Sequence, residues 1–183
     1  MKCFSKSIIL TSSALIIQGT WLQAQEERPN IIWITCEDIS PYMETYGDRV
    51  VKTPNIDQLA IEGQQFQSVY TTAGVSSPSR SCIITGMYPM SIGTQHMRTL
   101  IETPAVSQKI GVPKYSAVLP EYVKAFPEYL RTNGYYTSNN LKTDYQFIEP
   151  VTVWDECSAA ATYRKAPKGK PFFSIFNLFI THE

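Results

Sequence analysis

Asn30-Ile31-Ile32-Trp33-Ile34-Thr35-Cys36 is nearly continuously apolar, and it breaks off at the acidic pair Glu37-Asp38. A run this short and this uninterrupted predicts a strand covered on both faces, as strands of parallel sheets are. In open α/β sheets ligands collect beyond the carboxyl ends of the strands, so the acidic pair stands where a site is expected. A second run, Pro171 to Phe179, contains Phe-Phe-Ser-Ile-Phe-Asn-Leu-Phe and predicts another buried strand, followed by Thr181-His182-Glu183.

Between these runs the helix signals are local. Thr53 can cap a helix that has Pro54 in its first position, Ile56, Leu59 and Ala60 on one face, and Gly63 as its stop. Phe66 to Thr71 predicts a strand. Ser77 as cap, Pro78 in the first position and Gly86 after Ile83-Ile84-Thr85 predict a second helix. A third runs from Pro127 to Asn133, is ended by Gly134, and leads into a strand at Tyr135 to Ser138. Alternating strands and helices give an α/β class. Residues 99–125, with Pro104, Pro113 and Pro120 and little periodicity, are expected to form a long surface excursion.

The chain is 43% hydrophobic and 17% charged over 183 residues, a composition suited to a soluble protein with a packed core. Lysine plus arginine equals aspartate plus glutamate at 16 each, so no global field favours nucleic acid or an anionic membrane. Lys2 and Lys6, an apolar stretch around Ile8 to Ile17 and Leu22-Gln23-Ala24 have the order of a signal peptide over residues 1–24, which implies a protein exported to the periplasm or the medium. The apolar run, broken by Thr11, Ser12, Ser13 and Gln18, is too short and too polar to span a bilayer stably, so no membrane span is expected after cleavage near Ala24. Without Cys3, the cysteines Cys36, Cys82 and Cys157 form neither a disulfide framework nor a zinc spacing. Cys36 and Cys82 are expected as small buried hydrophobes.

The sharpest signal is Ser76-Ser77-Pro78-Ser79-Arg80-Ser81-Cys82-Ile83-Ile84-Thr85-Gly86. Ser76 just before a helix would lie against free backbone N–H groups and the positive end of the helix dipole, which favour an oxyanion. Arg80, about one turn in, can return its guanidinium to the same place. At the end of the first strand, Glu37 and Asp38 are hard oxygen donors suited to Ca²⁺ or Mg²⁺.

This segment resembles the signature of formylglycine-dependent sulfatases: Cys or Ser, any residue, Pro, Ser, Arg, three variable positions, an aliphatic residue, Thr, Gly. Every fixed position is filled. Asn30 to Asp38, Thr53-Pro-Asn-Ile-Asp-Gln-Leu-Ala and Pro171-Phe-Phe to His182 are similar to the family's opening strand, first helix and later histidine-bearing strand, so the resemblance covers residues 29–183. It implies an alkaline-phosphatase-like α/β sandwich with a central, mostly parallel sheet, of which residues 25–183 would be the N-terminal part.

The resemblance also assigns roles. Ser76 would be oxidised by a maturase to formylglycine, whose hydrate attacks sulfur with one hydroxyl and expels sulfate when the other is deprotonated. Glu37, Asp38 and the modified Ser76 would hold the divalent ion, although the family usually has two aspartates where Glu37-Asp38 stands. Arg80 and Lys142 would bind sulfate, and His182 would contact it and protonate the leaving group. The usual Lys-x-His pattern is here Lys142-Thr143-Asp144, so Asp144 is a candidate base or substrate ligand, with a surface salt bridge as its plain alternative. His96 is a candidate for the missing histidine or for a sugar contact. The implied reaction is hydrolysis of a sulfate ester or sulfamate of a sulfated carbohydrate, N-sulfoglucosamine-like groups among them. The rivals are a phosphate or phosphonate ester hydrolase of the same superfamily and an inactive, truncated glycan-binding remnant. A cation of this class wants about six oxygen ligands or more, so residues 25–183 alone are expected to bind it weakly and to lack turnover.

Overall fold

The computed structural model describes residues 28–97, 111 and 115–181. The expected signal peptide and His182 lie outside them. Strands β1 (Ile31–Cys36), β2 (Tyr136–Asn140), β3 (Glu156–Ser158) and β4 (Phe172–Leu178) form one sheet in the order β1-β4-β2-β3, with every pairing parallel. The expected α/β class with a mostly parallel sheet is therefore present. β4 has a neighbour on each side, as its apolar run requires, and its register sets Trp33 beside Ile175 and Thr35 beside Asn177.

Helices α1 (Pro54–Glu62), α2 (Ser76–Thr85) and α3 (Phe126–Thr132) occupy the three predicted places. Gly86 ends α2 at φ 68°, a left-handed position that glycine takes without strain. One face of the sheet builds the core. Phe173 and Ile175 of β4 pack with Ile84 of α2, with Ala125, Phe126 and Leu130 around α3, and with Tyr145, Phe147, Val153 and Trp154. Phe173 lies edge-on to Trp33 at 5.4 Å and to Phe126 at 5.1 Å. On the other face the Tyr163 ring stacks on Phe172 at 4.9 Å.

Several expectations need correction. β1 is not covered on both faces: Ile32 is 47% and Ile34 63% exposed, because β1 is the edge strand of the described sheet and the described residues leave that face largely bare. Phe66 to Thr71 forms no strand; it has strand composition but no partner ladder, and Val69 and Tyr70 stand in solvent. α2 begins at Ser76 with Val75 as its cap, so Ser77 is inside the first turn and caps nothing. The described end of the supposed excursion is not all surface. Val123 and Ala125 are buried, and Ala117 N–H donates to the Gln146 carbonyl at 2.8 Å. Cys36 and Cys82 are half-buried and Cys157 is exposed, all as free thiols.

Candidate active site

The carboxyl ends of β1 and β2 and the first turn of α2 meet at one place. Val75 enters α2 extended, at φ −134° and ψ 149°, without a side-chain cap, and the first helical bond runs from Ser79 N–H to the Val75 carbonyl at 3.1 Å. The Ser76 and Ser77 N–H groups therefore have no intrahelical acceptor, and Pro78 has no N–H to satisfy. Ser76 Oγ lies 3.5 Å from Glu37 Oε2. A cleft of about 270 Å³ opens here, lined by Glu37, Asp38, Thr71, Gly74, Ser76 and Arg80 among others.

Glu37 sits between two cations. Its Oε1 accepts from Arg80 Nη1 at 3.3 Å, and its Oε2 ion-pairs with the Lys142 ammonium. The three side chains are between 9% and 14% exposed, so little water screens them. Arg80 is fixed further by Nε donating to the Thr143 carbonyl at 3.1 Å and Nη2 donating to the Lys142 carbonyl at 2.6 Å. The helix-borne arginine thus grips the turn that carries the lysine.

That turn is unusual. Leu141, Lys142 and Asp144 all have positive φ, at 46°, 64° and 47°. Asp144 is not a surface salt bridge: its side chain is 9% exposed, Oδ2 lies 3.9 Å from Lys142 Nζ, and Oδ1 accepts from Ser77 Oγ at 2.8 Å. The bond explains why Ser77 does not cap α2. Asp38 also has a positive φ, 56°, which aspartate tolerates better than most residues, and it lines the cleft beside Glu37.

The structure thus brings Ser76, Arg80, Lys142, Glu37, Asp38 and Asp144 together. His96 is apart from them: it is exposed, and its ring lies edge-on to Tyr115 at 6.1 Å. As to a divalent ion, the donors Glu37, Asp38 and Ser76 are hard oxygens of the right kind, and a carboxylate oxygen that accepts one hydrogen bond retains a second lone pair. Among the described residues no group of three or more His, Cys, Asp or Glu side chains assembles, so these donors suit the ion in kind and supply part of its shell.

Sequence reasoning missed Asn177 and Ser77. Asn177 is the one amide in a strand that is apolar apart from it and Ser174, and that contrast was the available signal. Behind the site, Tyr145 is buried in the core and burial pushes its phenol well above the ordinary range, although Arg80 acts the other way.

Comparison with known proteins agrees with the geometry. A model of the sulfatase family matches residues 29–182. An ulvan-active sulfatase of Formosa agariphila is 48% identical over 157 residues, which cover 86% of this chain and 26% of the relative. An N-acetylgalactosamine-6-O-sulfatase of Bacteroides thetaiotaomicron is 30% identical over 172 residues, 84% of this chain and 34% of the relative. The chain thus spans 26% to 34% of the length of these curated relatives. Among solved structures, one in complex with its substrate D-glucosamine-2-N,6-O-disulfate superposes with a TM-score of 0.63 at 21% identity, covering 86% of this chain and 35% of the other. A 2-O GAG sulfatase superposes with a TM-score of 0.61 at 20% identity, covering 83% of this chain and 35% of the other, so the fold is shared with both. The signature around Ser76, the sheet and the family match together make this chain a member of the sulfatase family, with the alkaline-phosphatase-like fold.

Proposed function

We propose that the complete protein hydrolyses sulfate esters of a sulfated carbohydrate, with Ser76 as the residue that becomes the nucleophile. The observation that carries this reading is the convergence of Ser76, Glu37, Arg80 and Lys142 at the end of β1 and the start of α2. Oxidised to formylglycine by a maturase, Ser76 would supply a hydrated aldehyde in place of a weakly nucleophilic hydroxyl. A bound Ca²⁺ or Mg²⁺ would supply positive charge that polarises a sulfate oxygen, with Glu37 and Asp38 as its ligands from this chain.

The chain's own residues do the rest. The unpaired N–H groups at the start of α2 and the Arg80 and Lys142 cations favour a tetrahedral oxyanion beside Ser76. Glu37 pairs with both cations and holds them beside Ser76. Asp144 orients the first turn of α2 through Ser77 and stands within ion-pair distance of Lys142, where it takes the position of the family's usual histidine. His182 is assigned to the leaving group. The sulfatases that act on ulvan and on N-acetylgalactosamine-6-O-sulfate by name support a sulfated carbohydrate as substrate. The share of these relatives that the chain spans supports residues 25–183 as the N-terminal part of a longer catalytic domain. The order of residues 1–24 supports export, and among the described residues no helix is long and apolar enough to cross a membrane.

The test is a peptide mass together with a paired assay. Expressed with a serine-accepting maturase, the Ser76 peptide should lose two hydrogens and react with a carbonyl probe. The protein should then cleave a sulfate ester in preference to the phosphate ester of the same alcohol. Turnover of sulfate with Ser76 still an intact hydroxyl would defeat the assignment of the nucleophile, and preference for phosphate would defeat the substrate class.

A further inference from the structure

We propose that Asn177 is a positioning residue, which sets where the Arg80 guanidinium and the Lys142 ammonium stand. The inference rests on the reading of those two cations as sulfate-binding groups. Asn177 lies near the carboxyl end of β4 and is 5% exposed. Its Oδ1 accepts from Arg80 Nη2 at 2.6 Å and from Thr35 Oγ1 at 2.8 Å. Its Nδ2 is 3.0 Å from Asn139 Oδ1, 3.1 Å from the Asn140 carbonyl and 2.5 Å from the Leu141 carbonyl. Both lone pairs and both protons of the amide are therefore engaged.

The two ends of this amide act on two different parts of the site. Oδ1 takes one guanidinium nitrogen of Arg80, whose other bonds go to Glu37 and to the carbonyls of residues 142 and 143. Nδ2 holds the carbonyls of residues 140 and 141, the peptide groups that lead into the left-handed pair Leu141 and Lys142. A non-glycine residue in that region costs about 1–2 kcal/mol, and such a conformation persists only where its surroundings over-determine it. Asn177 is the buried group on β4 that does so. Without it the turn has a lower-energy extended alternative, which would carry Lys142 away from Glu37 and Ser76. A side chain with only an acceptor at the Nδ2 position would set oxygen against oxygen at the same carbonyls.

The experiment compares variants of the complete protein by turnover of an aryl sulfate and by calorimetric binding of inorganic sulfate. Asn177→Asp keeps Oδ1 and reverses the polarity at Nδ2; it is expected to lower kcat/KM about 100-fold, the scale of a misplacement near 1 Å, and to weaken sulfate binding in parallel. Asn177→Ala should do likewise, and Leu141→Gly added to it should recover part of the loss, because glycine takes a positive φ without the strain that Asn177 offsets. A merely structural residue would lower the melting temperature and leave sulfate affinity of the folded protein unchanged. A folded Asn177→Asp variant with wild-type affinity and turnover, or an Asn177→Ala variant unimproved by Leu141→Gly, overturns the proposal. If Asn177→Asp fails to fold, the Asn177→Ala comparison decides alone. A wild-type protein without sulfatase turnover would count against the proposed function, while the sulfate affinities would still decide the role of Asn177.

Discussion

Ser77 Oγ donates a 2.8 Å hydrogen bond to Asp144 Oδ1 and so ties the first turn of α2 to the left-handed turn after β2, across 67 residues of sequence. Ser77 is fully buried and the Asp144 side chain is 9% exposed, so water replaces this donor poorly. Ser77→Ala is therefore expected to cost roughly 1–3 kcal/mol, the scale of a buried acceptor deprived of its partner. Urea denaturation measures it, and an unchanged midpoint would mean that the bond contributes nothing net.

The Glu37 cluster predicts an asymmetry. Lys142→Met leaves Glu37 with Arg80 at 3.3 Å, whereas Glu37→Leu takes the shared carboxylate from both cations, whose side chains are 14% and 9% exposed, and leaves Lys142 only the longer 3.9 Å pair with Asp144. Removing one partner of a buried pair costs about 3–5 kcal/mol, and the partial exposure and the second cation pull Lys142→Met below that range. Glu37→Leu should be the less stable of the two by thermal melting at low salt. Equal melting temperatures would show that the two cations do not depend on the carboxylate.

How far these features were legible depends on how local their causes are. β1 and β4 were visible because each is a short, nearly uninterrupted apolar run, although β1 is the more exposed of the two, α1 because Pro54 starts it and Gly63 follows it, and the end of α2 because Gly86 takes φ 68°. β3 was not, since Glu156-Cys157-Ser158 has no apolar pattern and exists by pairing with β2. The start of α2 was misplaced because Asp144, far along the chain, takes the hydroxyl that would otherwise cap it. The motif found Ser76 and Arg80, and the family pattern found Lys142. Nothing local in Phe-Asn-Leu reveals that Asn177 reaches both Arg80 and the turn.

Asp38 tests the metal reading apart from turnover. Asp38→Asn keeps the side-chain shape and the tolerance for φ 56°, while removing the charge that a divalent ion needs. In the complete protein it should weaken Ca²⁺ binding by calorimetry and lower sulfate ester hydrolysis, with the melting temperature of the metal-free protein little changed. Ca²⁺ affinity equal to that of the wild type would remove Asp38 from the ligand set.

Glu149 makes the last prediction, and it concerns stability alone. One of its carboxylate oxygens is buried without a hydrogen-bond partner, as is the Trp154 indole nitrogen in the same region of the core. Burial is the largest influence on the Glu149 carboxyl and raises it above its ordinary value. A carboxyl whose value is higher in the folded state than in the unfolded one holds its proton more tightly when folded. Its contribution to stability is complete below the ordinary carboxylate value and is lost as pH rises through the folded value. At neutral pH, ionising this carboxyl therefore costs more in the folded state than in the unfolded one. Glu149→Gln, of nearly the same shape and never charged, should melt at a higher temperature than the wild type at pH 7. The difference should shrink as the pH is lowered below the ordinary carboxylate range, where the wild-type side chain is protonated in both states. Melting temperatures of the two proteins across that window decide the matter: a difference that stays constant with pH would assign the effect to packing, and a less stable Glu149→Gln at pH 7 would show that the ionised carboxylate is held favourably after all.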